Sequence, residues 1–448
     1  MSALIWLGFS PLIHAADPFP ASMNHIQTID LATTLRLAGA QHLDIQIARE
    51  RLLEARANHE STLWQFFPWL SPGLTYRRHD NLTQDVIGNI IDVHKESYTI
   101  GPTISAQLEV GDAIYRNLAA RQLVNAADYA LESQQQDSLL AASQAYFDLV
   151  KAHAAVVVAN EAVRISTNYL EQVQRAAEAG IAFRGDVLRV EVQSERNRIT
   201  ARQAQEQERV ASARLVQVLH LETNLELVAN EKELIPLSLV PTNTPVQSLV
   251  SEALSRRPEL KQNRALAEAA RTAKNGALYG PLIPSVGAQV FVGGLGGGRD
   301  GVGRTFGESE DYQVMLGWRI GPGGVFDRSR IRASEARLRI AQITGQKLLD
   351  EITRQVIEHH TRSQSLADQL GTAQRAAQAA EEALRLSEER KQFAVGNVLE
   401  TILAEQELTR ARLDLSNAIA EYNKAQYSLL KALGSMSGPP ETRSHGRN

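Results

Sequence analysis

The 448-residue chain reads as a mainly α protein with a small β part, built twice from one plan. Three observations carry that reading. The second half echoes the first at an offset of about 215 residues, the signature of an internal repeat. Apolar residues recur with heptad spacing over stretches far longer than an ordinary globular helix. Four short segments alternate apolar and polar residues as half-buried strands do. Composition agrees, because aromatics make up only 5% of the chain while Ala, Leu, Gln, Glu and Arg crowd it, a bias toward long helices.

The repeat runs end to end. "HLDIQIARERLLEARA" answers "RPELKQNRALAEAARTA", "FFPWL" around Pro68 answers "LIPSV" around Pro284, and "DVLRVEVQSERNR" from Asp186 answers "ETILAEQELTRAR" from Glu400. Arg196 and Arg410, Ala204 and Ala418, Leu215 and Leu429 then coincide without a gap. The expected boundaries are a first repeat over 17–235, a linker over 236–245 with Pro236, Pro241 and Pro245, and a second repeat over 246–434. Residues 435–448 are expected to be a disordered tail. The start outlines a signal peptide over 1–16: an apolar run from Ala3 to Ile13, then the small pair Ala15 and Ala16, though without a basic leader.

Within each repeat the order is helix, two strands, very long helix, half-length helix. In the first long helix Ala142, Leu149, Val156, Val163, Leu170 and Ala177 recur every seven residues, with Ala145, Ala152, Ala159, Ser166 and Val173 between them. In the second, Leu349, Val356, Ser363, Leu370, Ala377 and Leu384 alternate with Ile352, His359, Leu366, Ala373, Ala380 and Ser387. A helix from near Ala113 to Glu178 extends about 100 Å at 1.5 Å per residue. The strands follow period two: Leu70, Pro72, Leu74 and Tyr76; Tyr98 through Val110; Val286 to Val292; Tyr312 to Ile320. Such alternation suits a membrane barrel with lipid outside and water inside, and equally a soluble sheet packed on one face. Pro72 and Pro102 count against a barrel, since each deletes a ladder hydrogen bond.

Several chemistries are excluded or weak. Gly296, Gly298 and Gly301 in "FVGGLGGGRDGVGRTF" fit G-x-G-x-x-G, but a strand follows where a dinucleotide site needs a helix, so the run is expected to be a long hairpin loop that holds no phosphate. A formal charge of -4 and the absence of any basic, aromatic-studded patch argue against nucleic acid. No cysteine is present, so thiolate metal sites and cysteine nucleophiles are absent. His359 and His360 point to different helix faces, and no metal site, cofactor or catalytic residue is assigned.

Duplicated copies, paired strands leading into very long helices, and the junctions "AGIAFRGDVL" and "AVGNVLETIL" resemble the TolC-like outer-membrane efflux proteins, over about Ile29 to Leu433. "RRPEL" at Arg256 to Leu260 is similar to that family's helix-opening proline motif, and "LEVGDAIYRN" and "WRIGPGGVFDR" sit where members leave the barrel. The first copy departs from the pattern, with His42 and Leu43 in place of the proline motif. Arg175 and Lys391 also stand one residue before the position where the family carries a basic residue ahead of the tip glycine.

The resemblance implies four strands per chain contributing to an oligomeric transmembrane β-barrel, a homotrimer in the outer membrane extending into the periplasm, and no enzyme activity. It implies the exit channel of a tripartite efflux or type I secretion system, with outer-membrane lipid, a periplasmic adaptor and an inner-membrane transporter as partners. Gly180 and Gly396 would form the periplasmic tip turns, and Asp186 and Glu400 would lie near a pore constriction. An acid in a helix's first turn also suits the helix dipole, so that reading stays open beside it. A periplasmic adaptor or a soluble coiled-coil scaffold are the alternatives, but the first needs one hairpin rather than two and the second leaves the alternating strands idle.

Overall fold

The computed structural model describes residues 25–222, 224–230, 234–299, 302–392 and 398–436. The segment read as a signal peptide, tip residue Gly396 and the tail beyond residue 436 lie outside the described residues. The first half runs β1 (His25–Ile29), α1 (Leu31–Gln41), α2 (Leu43–Trp64), β2 (Trp69–His79), β3 (Leu82–Gln84), β4 (Ile90–Asp92), β5 (Lys95–Leu108), α3 (Val110–Glu178) and α4 (Arg184–Leu219). After β6 (Leu225–Ala229) the second half repeats the plan with α5 (Val246–Arg256), α6 (Pro258–Tyr279), β7 (Ser285–Arg299), β8 (Val302–Gly317), α7 (Arg328–Gln392) and α8 (Val398–Ala432). The chain divides into two compact units, one of residues up to Thr34 with Gln144–Ile235 and Ala373–Ala420, the other of Leu35–Ser143, Pro236–Thr372 and the rest from Glu421. Each unit draws on both halves of the sequence.

In the second unit β2, β5, β7 and β8 form one antiparallel sheet in the order β2-β5-β7-β8. The register aligns the apolar sets across all four strands. Leu70 pairs with Ile104, Ile104 with Val290 and Val290 with Tyr312, while Leu108 pairs with Val286 and Val286 with Leu316. The opposite face carries Trp69, Ser105, Gln289 and Gln313 in one row and Ser71, Thr103, Phe291 and Asp311 in the next. Pro72 and Pro102 lie directly opposite each other, and the β5–β7 pairing skips Gly101 and Pro102. The missing N–H groups are therefore accommodated rather than fatal: at Gly101 a Cβ would meet the Val292 carbonyl oxygen at 2.5 Å, so glycine lets the two backbones close up beside the gap.

The glycine run corrects the expectation of a long loop. The β7–β8 ladder continues through Gly294–Glu308 and Gly297–Thr305 to Arg299–Val302. Aromatic rings replace the missing side chains: Tyr98 and Phe306 flank Gly296 in register and stack with centroids 6.0 Å apart and planes 11° apart. A Cβ on Gly296 would fall 2.3 Å from the Tyr98 ring, and one on Gly294 would fall 2.0 Å from that of Phe306. Glycine with a cross-strand aromatic is a stable strand arrangement, and alternation cannot detect it because glycine marks neither face. The other connection, between β2 and β5, holds the short β3–β4 hairpin.

The strand-to-helix junctions explain two of the sequence motifs. Gly111 packs so closely on Gly280 that a Cβ would meet its carbonyl oxygen at 2.1 Å. Asp112, buried beside it, receives both its carboxylate oxygens' bonds from Arg330 at 2.9 and 2.7 Å. Asp327 caps α7 by accepting from the Arg330 amide at 3.0 Å. The α5–α6 break places Arg257, 3% exposed, against Glu259 at 2.7 Å and Gln355 at 2.8 Å. At the corresponding break in the first half, the His42 ring accepts from the Asp44 amide at 3.3 Å, so a different residue caps the same position.

The helical core of this unit joins Leu249, Ala253 and Leu260 to Ile352, Val356, Leu429 and Leu433. The proline-rich linker is strapped onto it: Asn423 accepts from the Leu237 amide at 2.7 Å, and Gln426 accepts from Leu239 and Val240 at 3.0 and 2.8 Å. In the first unit β1 and β6 pair in parallel, two strands the alternation did not foretell.

Candidate functional site at the hairpin turns

The α3–α4 turn is built from a helix that stops on glycine. Gly180 has φ +74°, and the amides of Ile181 and Ala182 bond back to the Ala176 carbonyl at 2.8 and 3.1 Å. This is a C-terminal cap in the left-handed conformation that glycine adopts at least cost. Behind the turn, Tyr169 and Val173 of α3, Val190 of α4 and Ile402 of α8 form a buried cluster, with Val187 and Val398 packed against it. The first turns of α4 and α8, which carry Asp186 and Glu400, therefore sit on one apolar knot. Ile181 and Phe183 are left exposed, at 83% and 77%.

Neither predicted carboxylate stands bare. Arg189, three residues on, reaches Asp186 at 3.3 Å. Arg390 of α7 reaches Glu400 at 2.6 Å. Both pairs are partly exposed, and pairs of that kind contribute less than about 1 kcal/mol to stability. Their local effect is to set an arginine beside each acid, so each position carries a pair of opposite charges rather than a bare carboxylate. The Asp186–Arg189 spacing was visible in the sequence; the Arg390–Glu400 pair was not, because its members come from two helices.

One turn beyond, a third carboxylate escaped the sequence reading. Glu405 of α8 is 2% exposed and accepts from the Asn197 side chain of α4 at 2.9 Å. Asn197 also donates to the Ala162 carbonyl of α3 at 3.2 Å and accepts from Gln193 at 3.0 Å, and Gln193 in turn accepts from Gln406 at 2.7 Å. A cavity of about 250 Å³ adjoins this chain of amides. Burial pushes the Glu405 carboxyl up to about 7, with Asn197 opposing and the Glu388 carboxylate adding to the rise. No sequence signal marked it: its place between buried Thr401 and buried Leu408 shows only in the structure.

Comparison with known proteins gives a consistent result. The family model described as outer membrane efflux protein matches residues 34–219 and 249–435. Among curated proteins no sequence matches. A crystal structure of a membrane protein from Pseudomonas aeruginosa superposes with a TM-score of 0.75 at 19% identity, over 95% of this chain and 98% of that one. The Campylobacter jejuni CmeC outer membrane channel gives 0.72 at 16% identity, over 90% and 85%. The outer membrane protein VceC of Vibrio cholerae gives 0.72 at 17% identity, over 90% and 96%. At these identities the likeness establishes a shared fold.

Proposed function

The chain belongs to the outer membrane efflux protein family, whose members span the outer membrane and reach into the periplasm, and from that premise we propose that it is the passive exit duct of a tripartite efflux or type I secretion system. The observation that carries this reading is the sheet's apolar face, which is left exposed among the described residues. Leu70 is 63% exposed, Leu74 70%, Val314 81% and Leu316 62%. Water would penalise such a face by about 25 cal/mol for each Å² left exposed, whereas lipid would not. The apolar rows run from Tyr98 to Leu108 along β5, roughly ten residue steps or about 34 Å. Tilted at about 40°, they cover a band of about 26 Å, close to the ~25 Å apolar band of outer-membrane barrels.

A four-stranded sheet with free edges at β2 and β8 cannot stand alone in lipid. Cyclic assembly resolves this: β2 of one copy pairs with β8 of the next, and three copies give twelve strands around a lumen lined by residues such as Ser105, Gln289 and Gln313. A periplasmic adaptor and an inner-membrane transporter dock at the hairpin tips, where exposed Ile181 and Phe183 beside Gly180 offer apolar contact. Asp186 and Glu400, each with its arginine, border the constriction. Conduction is passive and needs no catalytic group. A soluble scaffold would leave the apolar face in water.

The test is the particle mass in detergent together with single-channel recording in a planar bilayer. Three chains per particle and discrete conductance steps are expected. A monomer that inserts no pores rejects the duct.

A further inference from the structure

Glu405 stands apart from the other acids of the first unit because it is buried without a cation. Among the described residues no basic side chain pairs with it. Its surroundings can be given element by element. From α4 the Asn197 amide bonds to it, and Gln193 and Thr200 line the cavity beside it. From α7 the Glu388 carboxylate repels it, from α3 the Tyr169 hydroxyl lies within electrostatic reach, and on α8 Arg410 and Asp414 line the same cavity. The amide chain is directional: Gln406 donates to Gln193, Gln193 to Asn197, and Asn197 to Glu405, while a second Asn197 bond holds α3. The acceptor at the end of this chain bonds α8 directly to α4, and through Asn197 it is linked to α3. Corresponding residues in the other repeat do not reproduce it, since Glu191, the counterpart of Glu405, is exposed.

We propose that Glu405 and its amide chain form a proton-operated clasp, which holds α8 against α3 and α4 while the carboxyl is protonated and loosens when it ionises. The sign follows from burial. A carboxyl held near 7 in the packed state and near its ordinary 4.5 when the helices part binds its proton more tightly packed. The packing advantage is complete below about 4.5, declines as pH rises, and is spent above about 7. An ionised Glu405 would face the Glu388 carboxylate, with no basic side chain paired to it among the described residues. Any consequence for opening the tip rests on the duct reading; the state of the helix pair does not.

The experiment therefore reads the helices rather than conduction. Because the chain lacks cysteine, spin labels placed at the exposed positions Glu195 of α4 and Glu407 of α8 are specific in the full-length protein in detergent. Between pH 5.5 and 8.5 the inter-label distance distribution is expected to lengthen or broaden, with a midpoint near 7. Glu405→Gln keeps the acceptor oxygen and should hold the narrow distribution at every pH. Glu388→Gln removes the repulsion and should move the midpoint to lower pH. A parent distribution that ignores pH, or a pH response that survives in Glu405→Gln, overturns the clasp. Conductance lost without either result would bear on the duct alone.

Discussion

Replacing Ile104 with lysine puts a charge in the middle of the apolar face, and the structure sets how much that should cost. Ile104 lies between Leu70 and Val290 in register, with no acid in its row to pair with. It stands four residues from Leu108 and six from Tyr98, so at a tilt of about 40° it is about 10 Å from one border of the band and about 16 Å from the other. A lysine near the midplane of a lipid-facing barrel surface costs about 2–4 kcal/mol, against about 0–1 near the interface. That is about 30-fold to nearly 1,000-fold in the folding equilibrium, while Leu108→Lys should lose less than about tenfold. Ser105→Lys, one residue away on the polar face, should change stability little. The assay is denaturant unfolding of protein folded into phospholipid vesicles, followed by the fluorescence of Trp64, Trp69 and Trp318. An Ile104→Lys variant within about 0.5 kcal/mol of the parent, as at an ordinary wet surface, would refute the lipid assignment.

Three further outcomes follow from the geometry. Gly180→Ala forces a side chain into φ +74°, which should cost about 1 kcal/mol and raise hydrogen exchange at the α3–α4 turn, although no atom obstructs the new methyl group. Gly296→Val should weaken the outer end of the barrel by about 1–3 kcal/mol through collision with Tyr98, and Tyr98→Ala should restore part of the loss when thermal dissociation of the oligomer is compared. Arg390→Gln should raise the cation-to-anion permeability ratio and Glu400→Gln should lower it; if neither moves, the charged pair does not border the constriction.

Periodicity made most of the helices legible and little of the chemistry. The heptad positions Leu149, Val356, Ser363 and Ser387 are buried as the spacing requires, because a seam repeated over many turns averages out local exceptions such as Leu349, 38% exposed. The alternating strands were readable for the same reason, but which face met lipid was not, since alternation reports only that two faces differ. Glycine conveys no facing, so the strand portion of Gly293 to Gly297 was lost to view until Tyr98 and Phe306 were seen to fill it. The five-residue strands β1 and β6 are too short to show a period. At the α3–α4 turn, Gly180 was singled out through the family resemblance, and its φ of +74° is a conformation that few other residues adopt. Glu405 was not, because an acid on a long charged helix looks alike in sequence whether it faces water or Asn197.

The side of the sheet that meets lipid can be measured directly. With no cysteine in the chain, single spin labels can be walked along β5 from Tyr98 to Leu108 in reconstituted protein. Accessibility to oxygen and to a water-soluble nickel reagent is then measured at each site. Ile100, Ile104, Ala106 and Leu108 should favour oxygen while Thr99, Thr103, Ser105 and Gln107 favour the nickel reagent, with period two across the whole strand. Equal exposure of both sets to the nickel reagent would leave the sheet in water and contradict the barrel.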